Sequence, residues 1–299
     1  MKDAAAYPLS AGSTSQRFAD FLALTKPRLN FLVVVTAAVG YYLGAGSDLE
    51  IAKLVQAVIG VALVAGGAAG LNQIYERETD SLMWRTRMRP LAAQRITMTE
   101  AMIFSLALSA IGLASVAVTA NLLAASLALL TLISYNVVYT PMKRHSQLST
   151  LVGAVPGALP PMIGWVAARG ALTPEAWALF GIVFVWQIPH FMAIAWLYRE
   201  DFGRAGFPLL PVVEPDGKST GRHAVLFALA LVPVSLAPYF LRMSGLLYAL
   251  GAVLGGLALL ALAISFALSR TNERARRLFL GSITYLPLLW ALLIADRTR

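Results

Sequence analysis

The chain has 299 residues, 58% of them hydrophobic and only 13% charged, with a formal net charge of +9. A mean hydropathy of +0.70 with so little charge excludes an ordinary soluble domain. The absence of cysteine excludes disulfides, thiolate metal sites and cysteine nucleophiles, and three histidines exclude a histidine-rich metal centre though not a single axial ligand.

Several runs of about 20 apolar residues, each long enough to cross a bilayer, indicate an all-α polytopic membrane protein. Spans are expected at 29–46, 51–75, 98–118, 121–140, 148–168, 174–198, 223–241, 245–269 and 276–295. They form a bundle of nine transmembrane helices within a single membrane-embedded domain over 1–299. The basic residues alternate with these spans. One side carries most of the 24, among them Lys2, Lys26, Arg28, the arginines from Arg77 to Arg95, Lys143 and Arg144. The other side carries Lys53, Arg169, Arg242, Arg297 and Arg299. By the positive-inside rule the first side is cytoplasmic, which places the N-terminus and its segment 1–25 inside and the C-terminus outside. A charge distributed in this way is topological and does not read as nucleic-acid binding.

In chain order, residues 1–25 lack the apolar core and small-residue cleavage site of a signal peptide. Phe18, Phe21, Leu22 and Leu24, set against Arg17, Asp20 and Lys26, predict a short amphipathic helix on the membrane surface. Pro27 then opens the first span at a position where its missing N–H costs nothing.

Span 2 carries the small-residue run Ala65-Gly66-Gly67-Ala68-Ala69-Gly70, which allows close helix approach. It leads into Asn72, Glu76 and Asp80. The i, i+4, i+8 spacing puts three oxygen-bearing side chains on one helical stripe, about 6 Å of rise apart. Such a set suits a hard cation such as Mg²⁺, which takes a few carboxylates plus phosphate oxygens and water. Arg85, Arg87 and Arg89 follow, in a polar loop over 77–97, and suit an anion. The alternative is an ordinary charged helix end at the lipid surface.

Spans 3 and 4 form an antiparallel hairpin through a tight turn at Ala120-Asn121. Span 4 ends at Tyr139-Thr140-Pro141-Met142-Lys143-Arg144, whose cations read either as boundary anchors or as anion ligands. Span 5 holds Gly153, Pro156, Gly157, Pro160, Pro161 and Gly164, so its freed carbonyls need partners within the protein. Span 6 holds His190 and ends at Glu200 and Asp201. His190 and Asp201 are eleven residues apart and, on one continuous helix, would share a face about 16 Å apart. An ionisable residue inside a span usually faces the bundle interior and marks function, although a hydrogen-bonded packing histidine is the alternative. Spans 7 to 9 carry no polar cluster.

Two acidic clusters at one membrane face, with cations beside them, call for a cation between them and an anionic substrate. Mg²⁺ bridging a lipid diphosphate meets both demands, and aromatic faces would stabilise the carbocation left by its ionisation.

At this point the sequence resembles the UbiA-type intramembrane prenyltransferases, through Asn72-x3-Glu76-x3-Asp80 and the segment from Arg85 to Pro90-Leu91. Within them it is most similar to the branch that farnesylates heme, through Thr25-Lys26-Pro27-Arg28, Tyr139 to Arg144, Pro189-His190-Phe191, Tyr198 to Asp201 and Pro208-Leu209-Leu210-Pro211. The resemblance implies farnesyl transfer from farnesyl diphosphate to a vinyl group of heme B, with water added, to make heme O. The central cavity would open to the cytoplasm and to lipid in a bacterial inner membrane, and a downstream heme A synthase is the candidate partner. It implies Mg²⁺ as cofactor, with Asn72, Glu76 and Asp80 at one contact and Glu200 and Asp201 at the other. Lys143 and Arg144, helped by Arg28, Arg85 and Arg89, would bind the diphosphate. His190 becomes the candidate heme-iron ligand, since neutral imidazole suits iron.

The chain departs from the family's pattern at three places. Glu76 stands where Asp is expected, Ser149 where Asn is expected, and Ile188 and Met192 replace a proline and an aromatic beside His190. A quinone-pathway prenyltransferase acting on an aromatic acid would instead call for an aspartate at position 190 and more carboxylates in the second cluster. An ion-coupled transporter would place its charges near helix midpoints.

Overall fold

Nine helices long and apolar enough to cross a membrane occur among the described residues of the computed structural model, which describes residues 14–298. The expectations for residues 1–13, Lys2 and Arg299 lie outside the described residues. A surface helix α1 (Thr14–Leu24) precedes the spans α2 (Pro27–Ala45), α3 (Ile51–Leu82), α4 (Met98–Thr119), α5 (Leu122–Met142), α6 (Ser149–Arg169), α7 (Pro174–Leu197), α8 (Lys218–Phe240), α9 (Leu246–Ser269) and α10 (Asn272–Ala295). The expected all-helical, nine-span architecture is therefore observed. Two boundaries move: α3 continues as helix through the acidic stripe to Leu82, and α8 begins at Lys218, five residues before the apolar run at 223.

Local sequence explains the helix starts. Thr97 and Glu100 form a reciprocal capping box at α4. The Asn121 side chain accepts from Ala124 N at 2.8 Å and starts α5, so the hairpin turn is only a few residues long. Its amide also donates to Val166 O of α6 at 2.8 Å, which pins the hairpin to that helix.

The centre of the bundle is α6 packed on α7. Helices α2 and α5 lie against α6, α4 lies along α3, and α8 and α10 lie against α7 with α9 outside them. Both central helices contain proline, and Gln187 of α7 donates to Ala154 O of the proline-rich α6 at 3.1 Å. This is the internal satisfaction that apolar surroundings demand. Helices α2 and α6 touch backbone to backbone: a Cβ on Gly40 would run into the Pro161 carbonyl, and one on Gly164 into the Ala37 carbonyl.

Helix α1 does more than lie on lipid. Leu24 is buried with Leu91, Ile96 and Ala101, Asp20 pairs with Arg95 Nε at 3.0 Å, and Gln73 of α3 donates to Leu24 O at 2.8 Å. Phe18 and Leu22 remain exposed. The entry to α2 is thereby held against the end of α3, where the acidic stripe lies.

If the α2–α6 contact sets the spacing of the bundle, Gly164→Ala should cost about 1–3 kcal/mol through overpacking. Gly181→Ala, whose new Cβ meets Val234 Cγ1 at an ordinary 3.5 Å, should be nearly neutral. Thermal unfolding of both variants in one detergent distinguishes them.

Candidate functional site

A cavity of about 240 Å³ opens at the end of the bundle where α2 and α6 begin and α3, α5 and α7 end. Asn72, Glu76 and Asp80 all line it and are 1–4% exposed, which removes the reading of a charged helix end at the lipid surface. Buried groups of this kind demand partners. Asn72 Oδ1 accepts from Lys26 Nζ at 2.6 Å, Glu76 Oε1 from Lys143 Nζ at 2.8 Å, and both Asp80 oxygens from Arg89 Nη1 at 2.7 and 2.8 Å. Every member of the stripe thus has its own cation. Lys26, Arg85, Arg89 and Lys143 line the cavity against the two carboxylates Glu76 and Asp80, so cationic charge is in excess.

Each group is delivered by a local feature. Lys26 adopts left-handed backbone angles (φ 48°, ψ 56°) just before Pro27, an uncommon conformation for a residue with a side chain. Enclosure in the cavity, then the charge of Arg89, draws its ammonium down to about 7. Enclosure also opposes the charge on Lys143, but the Glu76 carboxylate outweighs it and holds that ammonium well above the ordinary lysine range. In α5 the segment Ser134–Tyr139 is π-helical, and Thr140 Oγ1 donates to Tyr135 O at 2.8 Å. Tyr135 and Tyr139, one turn apart, lie together on the cavity wall with ring centroids 5.4 Å apart, and the Thr140 hydroxyl accepts from Asn72 Nδ2 at 3.0 Å. Lys143 Nζ lies over the Tyr139 ring at 4.6 Å. Leu29, Phe191, Ile194, Phe202 and Phe207 make the apolar wall.

The second acidic cluster is arranged differently from the expectation. Helix α7 stops at Leu197, Tyr198 leaves helical geometry (φ −112°, ψ 20°), and a separate short helix, Arg199–Arg204, follows. His190 and Asp201 therefore do not share one helical face. Glu200 is exposed, and neither it nor Asp201 lines the cavity. Asp201, 8% exposed, accepts from the backbone N–H groups of Trp84 and Arg85 at 3.3 and 3.4 Å and from the Arg204 guanidinium. Burial works against its charge, yet the Arg204 and backbone hydrogen bonds prevail and hold its carboxyl below the usual range. Its observed task is to hold the turn that carries Arg85, whose guanidinium lies 5.1 Å from the Tyr198 ring centre.

Three further candidates also lie off the cavity wall. Arg28 is exposed, and Lys26, two residues earlier, occupies the place expected for it. Arg144 turns outward to Tyr75, donating to its carbonyl at 3.3 Å. His190 is partly exposed between α7 and α10, with Nδ1 2.8 Å from Ser282 Oγ and its ring stacked between Trp186 and Phe279 at 5.0 and 5.1 Å. Trp196, later in the same helix, packs on Phe266. Sequence reasoning missed Lys26, Tyr135 and Ser149 as site residues. The signal for Lys26 was the following proline, which opens α2 and disfavours a helical backbone at Lys26 itself.

Among the described residues no group of three His, Asp or Glu side chains converges as a metal site. The donor set still fits Mg²⁺ bound through its substrate: two carboxylates and an amide on one stripe, with phosphate oxygens completing the shell. Ser149 points the same way. It lines the cavity, is 1% exposed, and its hydroxyl has no partner.

Charge gathered at one end of an apolar bundle, beside a wall of aromatic and aliphatic side chains, defines a membrane-embedded enzyme for an amphiphile with an anionic head. The chain belongs to the UbiA prenyltransferase family, whose pattern matches residues 33–293. It is 46% identical over 287 residues to the protoheme IX farnesyltransferase of Solibacter usitatus, covering 93% of this chain and 98% of that one. Two solved structures share the fold. One concerns digeranylgeranylglyceryl phosphate synthase, with a TM-score of 0.79, 17% identity and coverage of 94% of this chain and 98% of that one. The other is a UbiA homologue from Archaeoglobus fulgidus bound to GPP and Mg²⁺, with a TM-score of 0.64, 18% identity and coverage of 92% and 99%.

The role of Asp201 can be separated from the chemistry. Asp201→Ala should free the Trp84–Arg85 turn and weaken inorganic diphosphate binding in the absence of metal by about tenfold, one charge-assisted contact. The two amides bond to different carboxylate oxygens, so Asp201→Asn keeps an acceptor for one of them and should restore only part of that affinity. Titration calorimetry with metal-free diphosphate reads this directly.

Proposed function

We infer that this chain transfers a farnesyl group from farnesyl diphosphate to a vinyl group of heme B, giving heme O. The observation that carries the reading is the buried stripe Asn72–Glu76–Asp80 with its three paired cations, in a family member whose close relatives are named for this reaction. Lys26, Lys143, Arg85 and Arg89 take the diphosphate oxygens. Asn72, Glu76 and Asp80 are the residues that would hold Mg²⁺, and in this reading Glu200 and Asp201 do not share that task. When bound, Mg²⁺ neutralises the diphosphate and makes it a better leaving group.

The C–O bond to diphosphate breaks and leaves an allylic cation, which the Tyr135 and Tyr139 faces stabilise. The heme vinyl group attacks its terminal carbon and forms the new C–C bond. The resulting cation beside the macrocycle takes the oxygen of water, whose proton leaves with diphosphate. Phe191, Ile194 and Phe207 exclude other water from the apolar part of the cavity. His190, outside the cavity, is the candidate axial ligand that would hold the macrocycle alongside.

In this reading the cavity end and the N-terminus face the cytoplasm across a bacterial inner membrane, which the basic connections at that end support. The whole chain acts as one membrane-embedded domain, and a heme A synthase is the candidate to receive the product.

The function is tested by mass spectrometry of heme from cells expressing the protein and by transfer assays on purified protein. Heme O should accumulate with the wild type and not with Asp80→Ala, and excess EDTA should stop transfer. Lys26→Ala and Lys143→Ala should each lower kcat/KM by about 100-fold, the scale of a lost charge-stabilising group, whereas Arg28→Ala should stay near wild type. Transfer at normal rates in EDTA would overturn the metal assignment.

The histidine role is tested by titrating heme into wild type and His190→Ala. The variant should shift the Soret band and bind heme more weakly, while farnesyl diphosphate affinity stays unchanged. Identical spectra would return His190 to a packing role against Ser282.

A further inference from the structure

A second cavity, of about 650 Å³, lies at the opposite end of the bundle. It is enclosed by the far ends of α2 and α6, the start of α7, the turn at Leu241–Met243 and the residues after α10. None of its lining residues belongs to the site described above. Arg169, Arg242 and Arg297 converge on it.

That convergence is unusual for the face of the protein on which it occurs. The basic residues expected on this side were Lys53, Arg169, Arg242, Arg297 and Arg299, and Arg299 lies outside the described residues. Lys53 is paired with Glu50 at 2.7 Å, and each of the other three lines this one cavity. A guanidinium carries five N–H donors. Among the described residues none of these three forms an ion pair within 4 Å, although Asp48 and Glu175 also line the cavity. Arg297 lies over the Tyr42 ring at 5.1 Å and Arg169 over the Trp165 ring at 5.9 Å, so two of the guanidiniums are held on aromatic faces.

Complementing the helix C-termini nearby does not account for them. Of the three, only Arg169 stands in a last helical turn. The Arg242 backbone is itself left-handed (φ 57°), and its carbonyl accepts from Thr298 Oγ1, which fixes the rim. Trp165 lines the cavity at 4% exposure with its indole N–H unpartnered. Leu43, Leu241, Met243 and Ile294 complete an apolar wall.

We propose that this cavity is a binding site for the oxyanionic headgroup of an amphiphile, held by Arg169, Arg242 and Arg297 with its apolar body against Trp165, Leu241 and Ile294. Phosphate of an anionic phospholipid and carboxylates of a porphyrin share this chemistry, the latter connecting to the reaction inferred above. Planar guanidiniums suit either oxyanion through paired hydrogen bonds.

The test uses full-length protein, delipidated in neutral detergent, and two probes: phosphatidylglycerol, with phosphatidylcholine as its control, and mesoporphyrin, which lacks iron and vinyl groups. Native mass spectrometry and fluorescence titration compare wild type with Arg242→Gln/Arg297→Gln. Wild type should prefer phosphatidylglycerol over phosphatidylcholine, or bind mesoporphyrin, and the double variant should lose that binding by about tenfold or more, the loss of charge-assisted contacts. Farnesyl diphosphate affinity at the opposite cavity should be unchanged, which also certifies the fold. Loss for the lipid alone identifies a phospholipid headgroup, and loss for the porphyrin alone identifies porphyrin carboxylates. Should the double variant fail to fold, Arg169→Gln, exposed and outside the rim contacts, decides with an expected loss of about threefold. Unchanged binding of both probes in a folded variant overturns the proposal, whatever the transfer assays show.

Discussion

Two carboxylates and four cations share one end of a bundle whose remaining interior is apolar, and the arrangement is tolerable only because each charge has a partner. A lone carboxylate at such a depth would carry a desolvation cost of several kcal/mol. The pairs Lys143–Glu76 and Arg89–Asp80, with Lys26 on Asn72, offset that cost. Everything near them serves these contacts. Helix α1 pins the start of α2, the strained backbone at Lys26 turns its side chain inward, and the π-helical turn of α5 sets Thr140 and Lys143 against α3.

The same pairing prepares the site for its ligand. Cations held against protein oxygens are already desolvated and oriented when a diphosphate arrives, so little reorganisation remains. In the proposed function a diphosphate would exchange partners with the stripe: Asn72, Glu76 and Asp80 would hold its metal, and the cations released from them would take the phosphate oxygens. The excess of cations over carboxylates in the cavity favours that exchange. Asp201, outside the cavity, fixes the Arg85 turn through two backbone amides and is itself held by Arg204.

The two ends of the bundle use charge in different ways. At the end that carries the stripe, Lys26, Lys143 and Arg89 are each matched to a protein oxygen, while Arg85 lies over the Tyr198 ring. At the other end Arg169, Arg242 and Arg297 rest on aromatic rings or stand without an ionic partner, although that face carries few basic residues at all. The rigid helices α2, α6 and α7 run from one cavity to the other and contribute side chains to both.

The number of spans and the stripe of Asn72, Glu76 and Asp80 were legible in the sequence, because bilayer thickness sets helix length and helical pitch sets which residues share a face. Both are local rules that need no neighbours. What the local pattern left open was which cation meets which oxygen. Arg28 and Lys26 are equally basic and nearly adjacent, and only the left-handed turn before Pro27 sends one inward and leaves the other exposed. Lys143 and Arg144 divide in the same way, one to Glu76 and one to Tyr75. Continuity of α7 through Asp201 was a fair extrapolation from periodicity, but the break at Tyr198 redirects the carboxylate to the Trp84–Arg85 turn, 116 to 117 residues away in the chain. The convergence of three distant arginines on the second cavity belongs to the tertiary structure for the same reason: direction and partner are properties of packed helices, while spacing and hydropathy are properties of a single one.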